Sequence, residues 1–217
     1  MTTRMQKSAT ATELVRKHFR KAAFSFDHLY DEEHIVQRSL RPGLFARREL
    51  AVAVVKSYSN PRVLDVGCGS GRVGEFVLDA GAAEYVGVDF AEEMLDLAKE
   101  RLSRFGPRVQ LVHGDFLEAP LEGKFDVILG LGLFDYLPEP ERFARRMYEL
   151  CSGSVVGSFP KWNWLKGPVR KVRYEWINDC PIFNYTEREL RLMFGAAGFS
   201  KIDIISGRSG LLMRADV

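Results

Sequence analysis

From Pro61 onward the chain repeats one unit, a short apolar run followed by a stretch with apolar residues at helical spacing. Arg62-Val-Leu-Asp-Val66 reads as a strand that ends in glycines. Val73, Phe76, Val77 and Ala80 then share a helix face, and Gly81 is a natural stop. Glu84-Tyr-Val-Gly-Val88 is the next strand, followed by Ala91, Met94, Leu95, Ala98 and Leu102 on one helix face. Residues 109–113, 125–129 and 154–159 read as further strands, with Phe143, Met147 and Leu150 marking a helix before the last of them. This alternation predicts right-handed βαβ units and therefore an α/β, doubly wound, mostly parallel sheet covered on both faces. The ending differs: residues 186–197 form a helix capped by Gly198, and strands at 200–206 and 211–215 flank Gly207-Arg-Ser-Gly210. That spacing allows a hairpin, which would insert the last strand antiparallel. Ahead of the sheet, residues 1–60 read as helical and are expected to form an N-terminal lid on a core of 61–217.

Composition excludes several classes. The chain has 217 residues, 46% hydrophobic and 28% charged, which is ordinary for a globular protein with a sizeable core. Lys plus Arg (31) against Asp plus Glu (29) leaves +2, too balanced for a nucleic-acid coat. The three cysteines, Cys68, Cys151 and Cys180, have no paired spacing for a disulfide framework or a zinc site. The first residues carry charges throughout and lack the apolar centre of a secretory signal. No run approaches the roughly 18 apolar residues of a membrane span. A cytoplasmic protein without a transmembrane segment is the expectation.

The segment Asp65-Val-Gly67-Cys68-Gly69-Ser-Gly71-Arg72 carries the functional reading. Glycines at a strand–helix turn let backbone approach a ligand, and open sheets bind ligands beyond the carboxyl ends of their strands. A dinucleotide fold would place its third glycine at position 72, which is Arg, and no Gly-Lys-Ser/Thr is present for a P-loop. Asp65 would repel a pyrophosphate, yet it suits a ligand carrying an ammonium and a sulfonium. Asp89 ends the second strand, where an acceptor can hold ribose hydroxyls. Asp115 lies just past the third, in His113-Gly-Asp-Phe116, where a carboxylate can accept from an exocyclic amine while Phe116 packs on a base. Three carboxylates at three consecutive strand ends describe a pocket for a cationic adenosine derivative. His113 itself, inside a strand, is expected to be a packed or capped core histidine.

With these residues the sequence resembles the class I S-adenosylmethionine-dependent methyltransferases of the small-molecule type. The matching stretches are VLDVGCGSGRVG (63–74), YVGVDFAEEML (85–95), LVHGDFLE (111–118) and FDVILGLGLFDYL (125–137). The resemblance implies a seven-stranded, Rossmann-like sheet and S-adenosyl-L-methionine as cofactor, with S-adenosyl-L-homocysteine as product. It implies that Asp65, Gly67, Cys68 and Gly69 line the methionine end and that Gly71 shapes the turn. Asp89 would hold the ribose, Phe90 and Met94 would flank the adenine, and Asp115 with Phe116 would read its amine. Gly130 and Leu131 would lie beside the transferred methyl. Ala91 stands where the family often has a helix-capping Ser or Thr, a loss of roughly 1 kcal/mol.

Residues just past the fourth strand narrow the acceptor. Base-amine methylation usually goes with Asn/Asp-Pro-Pro-Tyr/Phe there, and this chain has Gly130-Leu-Gly-Leu133. Metal-dependent catechol-type relatives need carboxylates at that strand end, so no metal is expected. The implied activity is O- or N-methylation of a small molecule by in-line displacement, which alignment largely drives. A general base is optional, and Asp135, Tyr136 and His28 lead the candidates, ahead of His34, Tyr174, Asp179 and Tyr185. Tyr30, in a stretch resembling the N-terminal lid of many relatives, would close over the cofactor and exclude water. Residues 161–185 are expected to build the acceptor site. From 161 to 173 there are five basic residues and no acidic one, among Trp162, Trp164 and Tyr174, which suits an acidic, aromatic or amphiphilic acceptor. Stretch 35–43 is similar to magnesium-protoporphyrin O-methyltransferases, whose acceptor is of that kind. DNA is not expected as a partner. An RNA-modifying enzyme, or a protein that binds the cofactor without catalysis, are the competing readings.

Overall fold

The computed structural model describes residues 42–161, 182–207 and 210–217. Residues 1–41, with His28, Tyr30 and His34, and residues 162–181, with most of the basic-aromatic insertion, Tyr174, Asp179 and Cys180, lie outside the described residues. Within them the chain runs α1 (Pro42–Lys56), β1 (Arg62–Val66), α2 (Arg72–Asp79), β2 (Glu84–Asp89), α3 (Glu92–Leu102), β3 (Val109–His113) and β4 (Phe125–Gly130). It continues through α4 (Pro140–Leu150), β5 (Cys151–Phe159), α5 (Glu187–Ala197), β6 (Lys201–Gly207) and β7 (Gly210–Asp216).

The strands form one seven-stranded sheet in the order β3-β2-β1-β4-β5-β7-β6. Strands β1 to β5 are mutually parallel, and β7 inserts antiparallel between β5 and β6. The expected doubly wound sheet with an antiparallel last strand is what the chain builds. Strand order reverses between β1 and β4, and that switch point opens the crevice in which such sheets hold ligands.

Central strands read as nearly continuous apolar runs because both their faces are covered. Leu64, Val66, Val86, Val88 and Ile128 join Ala144, Met147, Leu190 and Phe194 in the core on the α4 and α5 face. Val63, Tyr85, Val127 and Leu129 point the other way, toward Val77 and Leu78 of α2 and Ala51, Val54 and Val55 of α1. Helix α1 is thus built into one of the two core layers. Strand β6, at an edge, alternates half-buried and exposed positions, as a strand covered on one face should.

Candidate active site

The turn after β1 is tied down residue by residue. Gly67 and Cys68 donate their N–H groups to the Val88 carbonyl of β2 at 2.8 and 3.2 Å, and Gly71 donates to the Cys68 carbonyl at 3.1 Å. Gly67, Gly69 and Gly71 take φ of +72°, +52° and +74°, a region side chains rarely adopt. Gly71 is also pressed on α3, where a Cβ would sit 3.2 Å from the Ala98 Cα. Beside Gly69 a Cβ would meet nothing within 4 Å, so its side of the turn is open. Arg101 of α3 donates to the Ser70 carbonyl and fastens the turn from outside.

Two carboxylates stand at the floor of this turn. Asp89, 9% exposed, accepts from the Gly69 N–H through Oδ2 at 2.8 Å and from the Ala91 N–H through Oδ1 at 2.9 Å. Burial raises its pKa above the ordinary value, and those main-chain donors oppose the rise. The bond to Ala91 also serves the entry of α3, whose N-cap residue Ala91 offers no side-chain bond. Asp65, 3% exposed, accepts from the Tyr85 hydroxyl at 2.8 Å. Cys68 is 8% exposed, and burial pushes its thiol well up, so it packs rather than reacts.

On the β2–β3 side, Phe90 packs with Ala91, Met94 and Leu97 in a small apolar cluster separate from the two core layers. Asp115 turns the chain, accepting from the Leu117 N–H at 2.9 Å. Two expectations change here. The Phe116 ring is 4% exposed and lies in the core, 5.5 Å from the Phe143 ring and beneath the Arg146 guanidinium. Stacking of that ring on a base is therefore not what the chain builds, and Phe116 has only its main chain to offer a ligand. His113 is exposed rather than packed in the core, its Nε2 3.1 Å from the Phe90 carbonyl, because β3 is an edge strand.

The turn after β4 closes the other wall. Gly130 is buried, and a Cβ there would meet Phe134 at 3.0 Å and Met147 at 3.1 Å, so its bare Cα makes room for the core. Leu131 is half-buried, and the Leu133 side chain reaches Gly67, where a Cβ would lie 3.2 Å from it. Gly132 donates its N–H to Ser158 Oγ of β5 at 2.8 Å. Asp135, 6% exposed, and half-buried Tyr136 belong to the short 3-10 turn Phe134–Tyr136. This turn is strapped from residues 182–185: Phe183 donates its N–H to the Asp135 carbonyl at 2.9 Å, and the Tyr185 hydroxyl donates to the Phe134 carbonyl at 3.0 Å. Burial and then the Asp135 charge push the Tyr185 phenol upward, so it stays a donor and is a poor base.

Arg47 escaped the sequence reading. A Cβ on Gly132 would lie 2.9 Å from its guanidinium, which places a cation against the turn after β4. The signal was present: Arg47, Ala51, Val54 and Val55 stand at i, i+4, i+7 and i+8, so this arginine lies on the buried stripe of α1.

The strand ends thus present two buried carboxylates, an open glycine edge, a separate apolar cluster and an arginine, an arrangement for a ligand with ammonium, hydroxyls, an aromatic base and a carboxylate. A family model described as a methyltransferase domain matches residues 63–153. The demethylmenaquinone methyltransferase of Staphylococcus aureus is 32% identical, the match covering 69% of this chain and 72% of the relative. A magnesium protoporphyrin IX methyltransferase from Synechocystis PCC 6803, solved with bound S-adenosylhomocysteine, superposes at a TM-score of 0.76 and 21% identity, over 94% of this chain and 98% of that one. An S-adenosylmethionine-dependent methyltransferase from Mesorhizobium loti superposes at 0.63 and 19% identity, over 79% and 98%.

Proposed function

Because the chain belongs to the class I S-adenosylmethionine-dependent methyltransferases, we propose that it methylates a small-molecule acceptor at oxygen or nitrogen, without a metal, in the crevice between the turns after β1 and β4. The cofactor is S-adenosylmethionine, which when bound supplies a methyl group activated on a sulfonium. The residues fit it on two observations: Asp65 and Asp89 are buried carboxylates that a cationic ligand would compensate, and the open side of Gly69 leaves room for main-chain approach.

Asp65 and the Gly67–Gly69 turn would hold the methionine end, with the Arg47 guanidinium taking its carboxylate. Asp89 keeps lone pairs beyond those given to Gly69 and Ala91, and these would accept from the ribose hydroxyls. Phe90 would offer apolar surface to the adenine, with buried Met94 packed behind it, and Asp115 would offer an acceptor for its amine. Leu131 and the 3-10 turn would face the acceptor, where Asp135 would accept its proton and Tyr136 would orient it. Displacement at an activated carbon asks mainly for alignment, so the crevice works by fixing donor and acceptor and excluding water.

The small-molecule reading is supported by the relatives, which by name act on demethylmenaquinone and magnesium protoporphyrin IX. The single observation that carries the site is the tether from Gly69 to Asp89, which joins glycine turn and carboxylate into one binding edge. Calorimetry with S-adenosylhomocysteine is expected to show binding, and Asp89→Ala to weaken it at least about tenfold, since it removes charge-assisted acceptors. Transfer to magnesium protoporphyrin IX would support an oxygen acceptor, whereas transfer to demethylmenaquinone, whose missing methyl belongs on a ring carbon, would overturn the oxygen-or-nitrogen reading. Absence of binding by the wild type would overturn the site.

A further inference from the structure

Tyr85 is the second residue of β2, and its side chain is fully buried. In a strand a tyrosine normally reads as a pleat-filling residue, but this one is threaded along the sheet to reach the next strand's carboxylate. Its β1 partner in register is Val63, two residues short of Asp65 and on the same face of the sheet. Two bare positions open the way. A Cβ on Gly74 of α2 would lie 2.6 Å from Tyr85 Cζ and 2.8 Å from its Oη. A Cβ on Gly87 would lie 3.1 Å from Tyr85 Cε1. Through this slot the hydroxyl reaches Asp65 Oδ2 at 2.8 Å, beneath the glycine turn.

The charged surroundings are one-sided. Asp89 at the end of β2 acts on Asp65 by like charge. On α1, Arg48 is held over the Phe45 and Phe76 rings, while Arg47 lies against Gly132. On α2, Glu75 and Asp79 are paired with Arg104, and Arg72 stands at the helix start. The Cys68 thiol is the other titratable neighbour, kept neutral by burial. Burial above all, and then Asp89, raise the Asp65 carboxyl to about 7, while the Tyr85 hydrogen bond pulls it down. Tyr85 is itself pushed well up by burial and so remains a donor.

We propose that Tyr85 is a positioning residue of the cofactor site: its hydroxyl aims the Asp65 carboxylate and favours its ionised form, so that the cofactor's ammonium docks on Asp65 as the carboxyl proton leaves to solvent. This rests on Asp65 holding the methionine end. The ammonium keeps its three protons and Tyr85 keeps its own, so one proton is released per cofactor bound wherever Asp65 starts protonated.

The test is calorimetric titration of the full chain with S-adenosylhomocysteine in buffers of different ionisation enthalpy. Wild type should bind roughly tenfold more weakly near about pH 6 than near about pH 8, releasing close to one proton at the lower pH. Tyr85→Phe keeps the ring that fills the slot and loses the hydroxyl. Its affinity should fall about tenfold near about pH 6 and recover most of the difference near about pH 8. Asp65→Asn should bind weakly, with no proton release and no slope across this range. A Tyr85→Phe variant that matches wild type, or loses the same factor at every pH, overturns the proposal, as does wild-type binding without proton release should the variant fail to fold. Wild type that binds no S-adenosylhomocysteine at all sinks the site itself, and the role of Tyr85 with it.

Discussion

A carboxyl group raised from 3.8 to about 7 by burial affects folding before any ligand arrives. Between these values folded Asp65 holds a proton that the unfolded chain has released, so the unfolded state binds fewer protons and stability falls as pH rises. The contribution is fully present below about pH 4 and is lost as pH passes through about 7, on the order of a few kcal/mol for a shift of this size. Asp65→Asn cannot ionise and can still accept from Tyr85. In the ligand-free protein it should gain on wild type as pH goes from about 5 to about 8, read as urea midpoints. Parallel midpoints across that range would show that Asp65 carries no such burden. Single residues differ in how far the sequence displayed them. Asp65, Asp89 and the glycines were legible as strand-end and turn residues because strand and turn signals are local. Tyr85 and Arg47 were not, because each gains its meaning from a partner in another element: Gly74 and Asp65 for the tyrosine, Gly132 for the arginine. The burial of Phe116 was not legible either, because sequence places a residue near a strand end without saying which way its ring turns.

Secondary-structure elements were the most legible level, since their limits are written in local chemistry. Helix α5 begins at Glu187 with Thr186 as N-cap, and the cap is reciprocal: the Glu189 N–H donates to Thr186 Oγ1 at 3.3 Å while the Thr186 N–H donates to Glu189 Oε2 at 2.8 Å. The residue before it, Tyr185, packs into the core and its N–H donates to the Pro160 carbonyl at 3.0 Å, so the same junction anchors both the helix and the end of β5. Thr186→Ala should lower stability by about 1 kcal/mol. Because the cap lies outside the proposed crevice, its affinity for S-adenosylhomocysteine should stay at the wild-type value, and calorimetry beside denaturation separates the two. A large loss of affinity would mean that the strap over Phe134 and Asp135 depends on the helix start. Helix α3 makes the opposite case. Its missing side-chain cap was visible in Ala91, but its replacement by Asp89 was not, because that bond comes from a carboxylate whose other oxygen serves Gly69. The 3-10 turn Ser103–Arg108 went unread for a local reason: Gly106 and Pro107 break helical periodicity within it.

The sheet joins these pieces across long stretches of chain. Arg47, Asp65, Asp89 and Asp135 come from four separate segments and meet at one end of the sheet only because strand order reverses between β1 and β4. Parallel order was foreseeable from the alternation of strand and helix patterns, since right-handed crossovers leave few other arrangements. The relation of the crevice walls was not, because it depends on contacts such as Leu133 against Gly67 that join the turns of β1 and β4. One consequence concerns the fold as a unit. Asp89 bonds to the turn after β1, and Tyr85 crosses from β2 to Asp65 on β1, so a ligand held there is gripped by the centre of the sheet rather than by a peripheral loop. S-adenosylhomocysteine at about a hundred times its dissociation constant should therefore stabilise the native state by about 2.7 kcal/mol. For a domain of this size that is a rise in Tm of roughly 5–10 °C, expressed in one transition seen alike by scanning calorimetry and far-ultraviolet dichroism. A ligand that raised only one of two separable transitions would show that α1 and the glycine turn form a unit apart from β5 to β7, which the core contacts of Ala51, Val54 and Val55 with Val127 and Val156 speak against.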